Sequence, residues 1–140
     1  MKKIAIISLL IIMLFVKCDS PDICRPQDSV WNLEFVSKGT ETNMVKDDKY
    51  HNDQAYKLLF FNDTVFQLNT SINTANGKYF ISSGGKIMIY YYHELSEMGG
   101  HNKVDSALLQ YLPTVTSYKV KNKRLYFHGD NCKIVFKMEK

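Results

Sequence analysis

The chain reads as α+β, mainly β: a curved antiparallel sheet or open barrel of about eight strands, with one helix inserted before the last three strands. Three observations predict this. Short runs along most of the 140 residues alternate apolar with polar side chains, as half-buried strands require. The connections between them are short and rich in Asn, Asp and Gly, which favours antiparallel neighbours. Only residues 103–112 change to a helical period, with Val104, Ala107, Leu108 and Tyr111 at i, i+3, i+4 and i+7, and Pro113 stops the helix.

The strands follow in order. Trp31, Leu33 and Phe35 alternate with Asn32 and Glu34. Residues 37–54 are polar and charged and offer little apolar surface to offset the entropy of ordering, so a long mobile loop is expected. Segments 56–61 and 65–70 form a hairpin around Asn62-Asp63-Thr64. Asn76-Gly77 is the strongest two-residue turn signal, because a type I′ turn needs positive φ at both central positions; it leads into a strand at 78–82. Gly84-Gly85 breaks the chain before 86–92, where Ile87, Ile89 and Tyr91 alternate with Met88, Tyr90 and Tyr92. A closing meander of 116–121, 124–128 and 132–138 turns at Asn122-Lys123 and Gly129-Asp130-Asn131. The side chains expected to face inward, Phe35, Phe60, Leu68, Ile87, Leu125 and Phe136, are large and suggest a filled interior.

The N-terminus sets a compartment. Lys2 and Lys3 precede thirteen apolar or small residues from Ile4 to Val16. That run fits the 7 to 15 residues, roughly, of a signal-peptide core and falls short of the roughly 17 to 25 of a membrane-spanning helix. Cys18 closes the run, where a bacterial lipoprotein is cleaved and acylated, although Lys17 stands where a small residue is usual. The expected organisation is a signal peptide at 1–17, a lipid-anchored tether at 18–29 and a single β domain at 30–140. The remaining cysteines, Cys24 and Cys132, can pair as a disulfide in an oxidising envelope or remain as two buried thiols.

Removing residues 1–17 takes out Lys2, Lys3 and Lys17 and lowers the formal charge from +4 to about +1. The basic character therefore belongs mostly to the leader, which argues against a nucleic-acid surface on the domain. Lys119, Lys121, Lys123 and Arg124 read as the solvated face of a hairpin. His93, Glu94 and His101 lack the tight spacing of a metal site, and there is no Gly-x-Ser-x-Gly or comparable nucleophile motif. The residues predict no enzyme and no cofactor. Tyrosine joins a large ring to a polar tip and serves at interfaces, so Tyr90, Tyr92 and His93 are the candidate interaction surface.

The order of motifs resembles the META domain family, which includes heat-shock-inducible envelope lipoproteins. The resemblance runs from Trp31-Asn32-Leu33 through Leu59-Phe60-Phe61, the segment from Asn73 with Gly77-Lys78-Tyr79, and Ser96-Glu97-Met98. It continues through Ala107-Leu108-Leu109-Gln110-Tyr111-Leu112, Val115-Thr116-Ser117-Tyr118, Leu125 and Ile134-Val135-Phe136. Two departures stand out: Ser71-Ile72 replaces the family's Gly-Cys, and Gly99-Gly100 stands where a second cysteine is common. The resemblance implies a non-catalytic module of envelope maintenance or stress, at the outer membrane, with the membrane and an envelope protein as partners. It also implies a fold similar to that of secretion pilotins that hold lipid, so a lipid or other apolar ligand inside an open barrel is the alternative expectation.

Overall fold

The computed structural model describes residues 25–47, 52–91 and 102–140. They form strands β1 (Trp31–Lys38), β2 (Glu41–Met44), β3 (Lys57–Phe60), β4 (Val65–Asn69), β5 (Thr74–Ser82) and β6 (Lys86–Tyr91). Helix α1 (Lys103–Tyr111) follows, then β7 (Val115–Lys121), β8 (Arg124–Gly129) and β9 (Cys132–Met138).

The sheet closes on itself. Eight strands run β1-β3-β4-β5-β6-β7-β8-β9, every pair antiparallel, and β9 returns to β1 from Trp31↔Met138 to Lys38↔Cys132. Closure satisfies the edge strands that an open sheet would leave exposed. An eight-stranded barrel has an interior just wide enough for side chains to fill. Trp31, Phe66, Tyr79, Leu68, Leu125, Phe127, Ile134 and Phe136 fill it, each at most 1% exposed. Each contributes about 1.5–3 kcal/mol relative to exposure, as an upper bound.

Helix α1 plugs the end of the barrel where β6 and β7 part; those strands pair only at Lys86↔Ser117. Asn102 caps the helix, its side chain accepting from the Asp105 amide at 2.8 Å while its amide donates to the Tyr56 hydroxyl at 2.9 Å. Asp105 is fully buried and accepts from the Ser71 amide at 3.0 Å and the Ser71 hydroxyl at 2.5 Å. That latch joins the first helical turn to the β4–β5 connection. It offsets the cost of burying a carboxylate with two charge-assisted hydrogen bonds.

Three expectations are corrected. Residues 37–54 are not one loop: β1 extends to Lys38, turns at Gly39 (φ +57°) and pairs with β2 from Phe35↔Met44 to Lys38↔Glu41. Backbone pairing orders this polar hairpin, with Val45 buried just beyond it.

Asn76-Gly77 is not a turn but the middle of β5. The turn lies earlier, where the Thr70 amide donates to the Asn73 carbonyl at 2.7 Å and the Asn73 amide donates to Thr70 Oγ1 at 3.0 Å. Glycine at 77 answers a close approach instead. A Cβ there would lie 2.4 Å from the Phe66 ring and 2.5 Å from the Tyr90 carbonyl oxygen.

Phe35 does not face inward. A bulge between Leu33 and Phe35 shifts the register against β9, so Leu33 and Val36 point in and Phe35 points out. The other five expected inward side chains, Phe60, Leu68, Ile87, Leu125 and Phe136, are all buried.

Candidate functional site on the outer face of β5 and β6

The pleat of β5 and β6 sends Tyr79, Ile87 and Ile89 into the core, at most 5% exposed, and turns Phe80, Met88 and Tyr90 outward. Phe80 is 52%, Met88 62% and Tyr90 38% exposed. The register sets Lys78 opposite Tyr90, Phe80 opposite Met88 and Ser82 opposite Lys86. Phe80 and Tyr90 are therefore diagonal neighbours, and their rings stack with centroids 6.1 Å apart. Strands β4 to β7 contain no Asp or Glu, while Lys78, Lys86, Lys119 and Lys121 stand exposed on them.

A second aromatic pair on the outside is arranged differently. Phe35 and Tyr126, both half-buried, lie over Val135, which is 1% exposed. The Lys133 ammonium sits above both rings, 5.8 Å from the Phe35 centroid and 5.3 Å from that of Tyr126. Beside it Arg124 holds Glu34 through two contacts, Nε to Oε2 at 2.7 Å and Nη2 to Oε1 at 3.1 Å. The β1–β8–β9 flank is thus roofed by charge, whereas among the described residues the β5–β6 flank leaves Phe80, Met88 and Tyr90 exposed.

At the barrel end opposite the helix, a cleft of about 330 Å³ is lined by Arg25, Gln27, Asp63, Ser82 to Gly85 and Tyr118. The 3-10 turn Pro26–Asp28 crosses this mouth, and its Pro26 carbonyl accepts from Trp31 Nε1 at 2.7 Å. The Tyr79 hydroxyl donates to the Asn62 carbonyl. Burial raises the pKa of Tyr79, a hydrogen bond from Gln27 opposes that, and Asp63 and Tyr118 add to the rise. Burial also raises Tyr118, partly offset by Arg25. Deeper in, the Tyr91 ring lies 6.0 Å from Phe66, and its buried hydroxyl has no hydrogen-bond partner among the described residues. Burial holds that phenol above the ordinary tyrosine range.

The residues expected to matter fall in three groups. Tyr90 is where the sequence placed it, exposed on a strand. Tyr92, His93, Cys18 and Cys24 lie outside the described residues. Cys132 is a buried free thiol 3.5 Å from Thr114 Oγ1, and the described residues offer it no partner sulfur. Pro26, two residues after Cys24, is docked on Trp31, at the far end of β9 from Cys132. Phe80 and Met88 were not among the expected site residues. Their signal was the phase of the strands: with Tyr79, Ile87 and Ile89 inside, positions 80 and 88 must be outside. Among the described residues no three His, Cys, Asp or Glu side chains converge as metal ligands.

Among the described residues, fold and site together define a small, closed, helix-plugged β-barrel with an exposed aromatic flank. No protein-family model matches the chain, and no curated protein matches it. Among solved structures it is similar to the crystal structure of a DUF4847 family protein from Bacteroides vulgatus. The identity is 12% and the TM-score 0.57, over 79% of this chain and 92% of that one. At that identity the likeness shows the fold alone.

Proposed function

We propose that the chain is a non-enzymatic lipoprotein of the bacterial cell envelope, anchored through an acylated Cys18 at the outer membrane and acting by surface contact. The META-like order of motifs supports a role in envelope maintenance or stress. The bare flank of Phe80, Met88 and Tyr90 carries the contact reading: three exposed apolar side chains side by side are a patch that a barrel is able to roof, as the Lys133 flank demonstrates. A ligand held inside the barrel is the weaker reading, because Trp31, Tyr79, Phe127 and Phe136 already occupy that space.

The intact mass of the protein extracted from a membrane fraction tests the anchor. The expected species is residues 18–140 with added acyl mass, and the same spectrum with and without reduction reports whether Cys24 and Cys132 are joined. An unacylated product overturns the lipoprotein reading. A photo-crosslinking side chain at Met88 tests the contact reading in cells; an adduct is expected there and not at Lys137 on the opposite flank, and no adduct at Met88 removes it.

A further inference from the structure

We infer that the β5–β6 flank docks on the anionic bilayer surface to which the chain is tethered, with Phe80, Met88 and Tyr90 entering the headgroup boundary and Lys86 and Lys119 facing acidic phosphates. The inference deepens the function proposed above and rests on its anchor.

Position comes first. Arg25, where the described chain begins, lines the mouth cleft beside Ser82 to Gly85, the connection from β5 to β6. Phe80 and Met88 form the next outward pair beyond Ser82 and Lys86. Cys18 precedes Arg25 by seven residues. Fully extended, those residues reach at most about 25 Å, comparable to the roughly 26 Å that twice the radius of gyration of a 100-residue domain gives. An acyl group on Cys18 therefore keeps this end of the barrel within about one domain width of the membrane, and the bare flank begins there. Phe61, 60% exposed, is at the same end, just before β4.

Chemistry selects the same occupant. A bilayer boundary accepts apolar side chains beneath amphipathic tyrosine and rewards lysine beside acidic lipid. The flank offers those groups, and strands β4, β5, β6 and β7 themselves carry no carboxylate; Asp63 stands at the mouth, in the β3–β4 connection. Among the described residues, Glu34 lies on the roofed flank and Glu41 on the β2 hairpin. A bilayer also explains why this flank needs no roof: the surface itself would cover it.

The test separates flank from anchor. The mature chain carrying Cys18→Ser, which has no site for the acyl group, is floated with vesicles of equal phosphatidylglycerol and phosphatidylcholine, and with phosphatidylcholine alone. Binding to the acidic vesicles is expected to weaken with salt, to fall about fivefold for each of Lys86→Gln and Lys119→Gln, and to fall roughly tenfold or more for the Phe80→Thr, Met88→Thr double variant. Lys137→Gln on the opposite flank is the control and should retain most of the binding. No partition into acidic vesicles, or partition that survives the Phe80 and Met88 substitutions, overturns the inference. So does a dimer split by those substitutions in a protein that does not float, which would assign the flank to a second copy. Because this arm lacks the acyl group, its failure is distinct from an unacylated intact mass, which would sink the anchor alone.

Discussion

Phe35 and Phe80 stand on the outside of the same barrel, each beside a tyrosine, yet one is half-buried under Lys133 and the other is 52% exposed. The difference starts in the strands. On the roofed flank a bulge after Leu33 turns Phe35 outward over Val135, and the Lys133 ammonium closes over it and Tyr126. On the bare flank β5 and β6 keep regular alternation, with Lys78 opposite Tyr90 and Lys86 opposite Ser82 at the edges of an exposed aromatic pair. Outer aromatic residues on this fold need not be left open, which makes the open pair informative.

The largest expected effect lies just behind the bare flank. Gly77→Ala would drive a methyl group into Phe66 and the Tyr90 carbonyl, at a cost of roughly 2–3 kcal/mol in chemical denaturation. A neutral result would show that this flank yields more readily than its packing implies.

Phe35→Ala should come next. It uncovers Val135 and removes one of the two rings under Lys133, for a loss of about 1–2 kcal/mol. Tyr91→Phe should move the other way. Deleting a buried hydroxyl without a partner among the described residues should raise stability by about 1 kcal/mol, and a loss would mean that residues beyond those described satisfy it.

Phe80→Thr together with Met88→Thr should change stability by no more than about 0.5 kcal/mol, since both side chains are exposed and threonine suits a strand. Compared with Phe35→Ala, this is the direct test of the contrast. If both flanks destabilise alike, the bare one is structural.

The smallest effect is a pH dependence confined to the roofed flank. Partial burial of an otherwise exposed ring, and then the Lys133 charge opposite, lower the pKa of His128 below its ordinary 6.5. The unfolded chain then takes up a proton at a higher pH than the native one. The resulting stability is present above pH 6.5 and is lost as pH falls from there through the native value. His128 is exposed and the charge screened, so the change should be small. An NMR titration of the imidazole checks the direction, and Lys133→Gln should move its midpoint upward.

Local chemistry was legible wherever the determining partners are near in sequence. The helix is confirmed at Lys103–Tyr111, one residue shorter than the apolar spacing implied. Asn62 makes the expected turn, its side-chain oxygen accepting from the Thr64 and Val65 amides at 2.8 and 2.9 Å. Asn122 and Lys123 both take positive φ, 53° and 58°, as the β7–β8 hairpin requires. The strands of the closing meander and five of the six large inward residues, all but Phe35, were readable from period two alone. Tyr90 was visible as an aromatic on such a strand, but not its stack on Phe80, which depends on how β5 and β6 register.

The sequence by itself thus determined the mainly β class, the helix before the last three strands and the phase of most strands, because alternation and capping act over a few residues. Tertiary structure alone decided closure, which pairs Trp31 with Met138 across nearly the whole domain. It also decided the outward turn of Phe35, the use of Gly77 as clearance rather than as a turn, and the burial of Asp105 against Ser71. Each of these is a contact between residues far apart in the chain. Such contacts form only when non-local pairing offsets loop-closure entropy, and no local pattern encodes which partner will arrive.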